Sequence, residues 1–322
     1  MNRTAKNLGK RCVEGLRRIF KKAYWVGYGN VITYLISLKT PAVNDMRVDE
    51  AFRYQYDGYY PTLYKKSVRR FNRIYKRANT FDAEGLPTMT NSDSKYWPVT
   101  IAQFGLLNYN YYLTYKTEVY KKAVVNSCNW LVDNIDDEGR WLYWNSVFLD
   151  VVDETLKAPF VSAMAQGEGI SLLIRGYKLT HDSRYLRCAE EALNPFFHET
   201  SVGGVCEKIG ELSIFEEYPT VTPSHVLNGF LFSMFGLYDL SCTHGEKAAK
   251  AQALFNEGYD TLIKILPLFD AGFCSRYDLG HLTAAPRRNA RPFYHFIHVN
   301  QLIAINSIRE SKVLQFYIRE WK

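Results

Sequence analysis

The chain of 322 residues is 47% hydrophobic and 15% aromatic, enough to bury a large core and incompatible with a disordered protein. Its 40 Lys and Arg against 33 Asp and Glu give a net charge of +7, which favours an acidic partner without choosing among nucleic acid, anionic lipid and polyanionic sugar. Six cysteines without C-x-x-C or other metal-like spacing exclude a thiolate metal centre; they predict free thiols in a reducing compartment, with the cytoplasm as the expected location.

Residues 2–22 carry Arg3, Lys6, Lys10, Arg11, Arg17, Arg18, Lys21 and Lys22 against one acid, Glu14, with Leu8, Val13, Leu16 and Phe20 at helical intervals. The spacing predicts a basic amphipathic helix, suited either to peripheral contact with an anionic leaflet such as the inner membrane or to docking on the protein itself. The uncharged run 23–38 is too short for a comfortable membrane span of about 20 residues. Between residues 45 and 98, Tyr54, Tyr56, Tyr59 and Tyr60 are punctuated by Asp57-Gly58, Pro61, Gly85 and Pro87, which predicts turns and short hairpins. We therefore read 1–97 as a basic helix plus a hairpin and turn region, and 98–322 as the main domain. The basic run 65–77 reads as a solvated helix face, because no companion nucleic-acid motif occurs and no nucleic-acid partner is expected.

From residue 101 onward a coarse repeat emerges. Gln103, Gln166, Asn228 and Gln301 each mark an apolar helix, recurring at intervals of roughly 60–70 residues, and the first three are followed by a polar-faced helix, over 118–134, 182–197 and 246–266. Apolar helices alternating with half-exposed ones predict a mainly α fold, an (α/α) toroid or partial toroid of helical hairpins with inner helices buried all round. The amides would then sit at inner-helix ends around a central cleft, as binders of hydroxyls and carboxylates or as core amides satisfied by backbone. Within this pattern, Glu216-Glu217-Tyr218-Pro219 precedes a helix that Thr222 as N-cap and Pro223 at the first helical position are expected to start.

Two later segments can reach the same cleft. Residues 273–281, including Arg276, Tyr277 and Asp278, have strand-like character, and 286–301 contain Arg287, Arg288, Arg291, Tyr294, His295 and His298. An arginine-rich turn leading into a Tyr-His helix start suits an anion, because guanidinium binds carboxylate in a bidentate fork. The two histidines lie at i, i+3, but no carboxylate or cysteine stands at matching spacing, so no metal is expected.

At these residues the sequence resembles the C-terminal domain of the D-glucuronyl C5-epimerases, enzymes of heparosan and heparan sulfate biosynthesis. The resemblance is carried by Ser162-Ala163-Met164-Ala165-Gln166-Gly167, Glu216-Glu217-Tyr218-Pro219, Val226-Leu227-Asn228-Gly229-Phe230, Tyr277-Asp278-Leu279, and Tyr294-His295 with His298 and Asn300-Gln301-Leu302. It extends more weakly over 96–105, which adds Tyr96 and Gln103 to the expected substrate contacts. It implies an acidic polysaccharide substrate, no cofactor, a homodimer, and Glu217, Tyr218, Tyr277 and Tyr294 as the functional set. Two departures accompany it. Animal members carry a β-barrel and a membrane anchor, whereas this chain resembles a compact microbial form; and Gly280 stands where the animal motif has an arginine after Tyr-Asp-Leu.

Epimerisation at C5 of a glucuronate needs one group to remove the hydrogen α to the carboxylate and another, on the opposite face, to return one. We expect Glu217 and Tyr294 to form that pair, with Tyr218 and Tyr277 orienting the sugar. Arg291, Arg288 or Arg276, with His295, His298 and the amides, would receive the substrate and neutralise its carboxylate. A carboxyl near pKa ~4 and a phenol near ~10 must both move toward neutrality; burial is expected to raise Glu217, and cationic neighbours to lower Tyr277 or Tyr294. A uronate lyase or glycosidase on a similar toroid, or a non-catalytic polyanion-binding module, are the alternatives.

Overall fold

The alternation of apolar and charged runs becomes, in the computed structural model, a series of helical hairpins. The structure describes residues 51–61, 79–89, 94–149, 152–272, 274–283, 285 and 287–322; the basic segment 2–22 and the 65–77 run lie outside them. Among the described residues there are eight α-helices: α1 (Pro98–Tyr115), α2 (Glu118–Asp133), α3 (Ala163–Thr180), α4 (Ser183–Glu191), α5 (Leu227–Ser241), α6 (Ala248–Ile265), α7 (Pro292–Ile308) and α8 (Lys312–Trp321). The inner helices pack in sequence, α1 on α3, α3 on α5 and α5 on α7, and each of α2, α4, α6 and α8 covers the inner helix that precedes it. This is the arc of a partial (α/α) toroid, as the periodicity predicts.

Local chemistry sets the helix ends. Pro98 opens α1, and left-handed residues, Lys116 at φ 51° and His181 at φ 61°, close α1 and α3. The side chain of Asp182 accepts the backbone N–H of Arg184 to start α4, and Ser311 accepts that of Val313 to start α8. Glycine lets the inner helices approach closely: a Cβ on Gly167 of α3 would collide with the backbone of Ser233, and one on Gly236 with the backbone of Gly167. This close approach packs the first turns of α3 against the middle of α5.

Three two-stranded antiparallel hairpins decorate the helices: β1 (Asn79–Phe81) with β2 (Pro87–Met89), β3 (Val147–Leu149) with β4 (Glu154–Leu156), and β5 (Cys206–Ile209) with β6 (Leu212–Phe215). The strand β6 runs directly into Glu216 and Glu217. Two sequence expectations are corrected. The helix after these glutamates starts at Leu227 with Val226 as N-cap, not at Thr222 and Pro223. Carboxylates hold the intervening turn instead of the helix ladder: Glu154 accepts the N–H groups of Val221 and Thr222, and Glu216 accepts that of His225. In place of a strand, the described part of the segment 273–281 makes isolated bridges, Asp270 with Ser275 and Arg276 with Asn289, and enters a 3-10 turn at Gly280–Leu282. The described cysteines, Cys128, Cys188, Cys206, Cys242 and Cys274, are all free, and Cys128, Cys188 and Cys274 are buried.

Residues 54–60 enter the axis of the arc from the C-terminal halves of the inner helices. Tyr54 N–H donates to Ser307 Oγ on α7, Tyr60 N–H to Asn110 Oδ1 on α1, and Tyr109 O–H to the Asp57 carbonyl. At their centre Arg175 of α3, wholly buried, donates to Asp239 Oδ2 of α5 at 2.6 Å and to the carbonyls of Gln55, Gly58 and Ser171. The rings of Tyr54, Tyr60 and Tyr109 surround the guanidinium at 5.2–5.8 Å. A charge at this depth is tolerable only because its donors are met and Asp239 neutralises it. Among the described residues, this cluster fills the axis at the C-terminal halves of the inner helices.

Candidate active site

Glu217, at 7% exposure, projects where β6 meets the starts of α3 and α5; Ala163 N–H donates to the carbonyl of its neighbour Glu216. Its Oε2 accepts the amide of Asn228, in the first turn of α5, at 3.4 Å. A Cβ on Gly229 would strike the Glu217 carboxylate, so the glycine in Asn228-Gly229 makes room for it. Burial, with a smaller push from the Glu216 charge and against the opposing Tyr218 hydroxyl, lifts the Glu217 carboxyl from the ordinary 4.5 to about 7. A carboxyl so placed is half ionised near neutrality, the condition for a general base.

Three phenols continue from it. Tyr218 acts on the Glu217 carboxyl, Tyr218 on the Tyr277 hydroxyl, and Tyr277 on that of Tyr294, without a hydrogen bond joining any of these pairs in the free protein. The Tyr277 and Tyr294 rings meet edge to face, 4.8 Å between centroids and 62° between planes. The backbone explains the meeting: Leu227 N–H donates to the Tyr277 carbonyl, Tyr277 N–H donates to the Arg288 carbonyl, and Tyr294 occupies the first turn of α7. The four residues singled out from sequence therefore form one row. One expectation about them is overturned: burial first, then the Glu217 charge, pushes Tyr277 and Tyr294 upward, and the lowering by Arg291 at Tyr294 does not win. The phenols thus remain protonated at neutral pH, as donors.

The other candidates divide. Gln103 of α1 donates to both oxygens of Glu168 on α3, at 3.3 and 3.0 Å, and the Glu168 charge is coupled to Glu217. Gln301 of α7 donates to the Asn228 carbonyl at 3.0 Å. These two, with Asn228, form the floor beneath the carboxylate. Arg291 is the exposed N-cap residue of α7 and acts electrostatically on Tyr294. Arg276 and Arg288 are half-buried on the strand-like segment and the turn that support Tyr277, and Arg276 acts on His281 instead.

Four expected substrate contacts are corrected. Gln166 is wholly buried away from the cleft, accepting from Trp141 N–H and donating to the carbonyls of Gly139 and Ala192. The amides fall at different depths in their helices, so their sequence interval does not make them a ring. His295 accepts from Ser275 through Nδ1 and donates from Nε2 to the Trp321 carbonyl, while His298 Nδ1 faces Ser275 Oγ at 2.7 Å. Burial lowers the pKa of both, so they are neutral struts between α7, α8 and the 275 segment. Tyr96 donates to Asp82 at 2.7 Å and packs on Trp130 of the outer helix α2. Among the described residues, no three His, Cys, Asp or Glu side chains converge as metal ligands.

Sequence reasoning missed Glu168 and His225. Glu168 is wholly buried and its carboxyl is pushed well up by burial; its signal was the one acid of the inner helix α3, two residues after Gln166. His225 is buried at φ 51°, with its ring and N–H on the Glu216 carboxylate, and no sequence pattern marks a histidine for that conformation.

Helical hairpins here bring a raised carboxyl and three phenols to one end of an arc, a candidate acid–base site on an (α/α) scaffold. Residues 136–322 match the sequence profile of the D-glucuronyl C5-epimerase C-terminus, and the chain belongs to that family. It is 37% identical over 236 residues to the D-glucuronyl C5-epimerase of Caenorhabditis elegans, covering 69% of this chain and 38% of that protein. It is also 29% identical over 167 residues to an uncharacterized protein of Methanocaldococcus jannaschii, 50% of this chain and 51% of that one. The matched stretches thus span 38% and 51% of the length of these curated relatives.

Proposed function

We propose that this chain converts D-glucuronate to L-iduronate at C5 within a heparosan-like acidic polysaccharide. The observation that carries the reading is the row from Glu217, titrating at about 7, through Tyr218 and Tyr277 to Tyr294. Glu217 as carboxylate removes the C5 hydrogen and becomes a neutral acid. The C5 electron pair delocalises into the uronate carboxylate, which Arg291 neutralises from the rim, with Arg288 and Arg276 as further cations. Tyr294 then delivers its hydroxyl proton to the opposite face of C5. The proton on Glu217 passes along Tyr218 and Tyr277 to restore Tyr294, so the enzyme ends as it began. The relay requires these hydroxyls to close up in the substrate complex, where catalytic hydrogen bonds tighten, and the edge-to-face contact of Tyr277 with Tyr294 is the part of it already formed in the free protein.

The +7 charge favours a polyanionic partner, and the family relationship supports a uronate. Membership also supports a homodimer, which light scattering would test. Peripheral membrane contact through residues 2–22 is a separate proposal, tested by binding to anionic vesicles with and without that segment. No helix among the described residues is long and apolar enough to cross a membrane.

The deciding experiment is incubation with heparosan and its N-sulfated form in deuterated water, read by NMR. Deuterium at C5 with iduronate signals is expected. Absorbance of an unsaturated uronate would identify a lyase instead, and binding without exchange a polyanion module.

A further inference from the structure

The carboxylate beside the base has a different task. Glu216, 1% exposed, is engaged by Ser224 and His225 at the neck of the loop that carries Glu217 and Tyr218. His225 N–H donates to both its oxygens at 3.1 Å, Ser224 Oγ donates to Oε2 at 3.3 Å, and the His225 ring meets Oε1 through Nδ1. The backbone of Glu216 is fixed as firmly, its N–H to the Val205 carbonyl at 2.8 Å and its carbonyl to Ala163 N–H at 2.9 Å. The loop 217–223 is therefore closed at its neck by one buried carboxylate.

The same neck holds a third segment. The Ser224 carbonyl accepts Leu279 N–H at 3.0 Å, and Leu227 N–H donates to the Tyr277 carbonyl at 3.1 Å, so the residues that grip Glu216 are interleaved with those that seat Tyr277. His225 adopts φ 51°, a left-handed conformation that glycine takes without strain and a histidine does not. Its ring is retained in that conformation against the Glu216 carboxylate. Such an outlier beside a candidate active site points to function.

We propose that Glu216, gripped by Ser224 and His225, is a positioning residue that fixes the Glu217–Tyr218 loop against the Tyr277 segment and so sets the spacing of the proton relay. The clamp is an inference about the fold of this chain; its catalytic consequence rests on the epimerase reading above.

Three variants of the full chain test it: Glu216→Gln, Ser224→Ala and His225→Gly. The glutamine presents an N–H₂ to donors that need an acceptor and is the variant most exposed to misfolding. The glycine keeps the backbone N–H, relieves the left-handed strain and loses only the ring, so its thermal midpoint should equal or exceed that of the parent. Hydrogen exchange of backbone amides is measured first. In each folded variant, protection should fall together in 217–223 and 276–280 while α1 and α3 keep theirs. Loss confined to 217–223, or no loss in His225→Gly, would overturn the clamp.

Turnover is the second reading. For His225→Gly, kcat for C5 exchange should drop about a hundredfold, the effect of a misplacement near 1 Å, with KM nearly unchanged. The acid limb of the pH profile should move to lower pH in Glu216→Gln, because that charge helps to raise Glu217, and stay in place in His225→Gly. A His225→Gly variant with parental kcat removes the ring from any positioning role. A parent chain that exchanges no uronate sinks the epimerase reading, and hydrogen exchange still decides the clamp.

Discussion

Replacing Glu217 by glutamine should abolish C5 exchange and stabilise the fold at alkaline pH. Glu217 is lifted from the ordinary 4.5 to about 7, and it is 7% exposed, so solvent screening discounts the effect little. At about 1.36 kcal/mol per pK unit, the lift corresponds to about 3 kcal/mol. The sign follows from which state holds the proton. Between pH 4.5 and about 7 the folded chain keeps a proton on Glu217 that the unfolded chain has released, so this contribution is complete below 4.5 and lost as pH rises through about 7. Glutamine fills nearly the same volume, never ionises, and can still accept from Asn228. Glu168, Tyr218, Tyr277 and Tyr294 face Glu217 and its charge pushes each of them upward, so removing that charge relaxes them in the same stabilising direction. Urea denaturation at a series of pH values gives the difference. Glu217→Gln should match the parent near pH 4 and exceed it by about 3 kcal/mol at pH 8. Curves that stay parallel across that range would refute the assignment of a strained, neutral-range base.

Other substitutions test the remaining parts of the site and scaffold. Tyr294→Phe should leave folding and polymer affinity nearly unchanged while lowering C5 exchange by roughly 10²–10⁴, the range for a proton-transfer group; an unchanged rate would remove Tyr294 from the relay. Arg291→Gln should weaken both heparosan binding and exchange, by about 1.5–3 kcal/mol if it makes a charge-assisted bond to the uronate carboxylate. Arg291→Lys should recover only part of that loss, since ammonium keeps the charge without the planar fork, and parental kinetics in the glutamine variant would move the assignment to Arg276. Asp239→Asn strands Arg175 in the core and should cost about 3–5 kcal/mol in chemical denaturation, with a loss under 1 kcal/mol arguing against a buried ion pair.

Much of the architecture was legible in the sequence because burial on all sides leaves a plain record. The inner helices read as nearly unbroken apolar runs, and Asp182 marked the start of α4. The carboxylate and the three phenols were also legible, through family motifs spread over about eighty residues. What failed was geometry that depends on rotation about a helix. Gln166 and Gln103 look alike in sequence, yet one faces the backbone of 139–141 and the other the cleft floor. His295 and His298 resemble ligands, but Ser275 and the docking of α8 claim both nitrogens of His295 and Nδ1 of His298. Thr222-Pro223 carries the chemistry of a helix start, and two distant carboxylates outcompete it for the backbone. The direction of the phenol shifts could not be read at all, because it is set by how deeply the rings sit relative to Arg291.

The tyrosine-lined stopper at residues 54–60 bears on how a long polymer would be handled. Among the described residues, Arg175, Asp239 and Tyr54 fill the axis behind Glu217, so on the proposed reading a polysaccharide would lie across the other end and depart by lifting away rather than thread through. Chain termini are then irrelevant to engagement. Heparosan blocked chemically at both ends should be modified as fast as the free polymer, with new iduronates scattered along its interior rather than accumulating from one terminus.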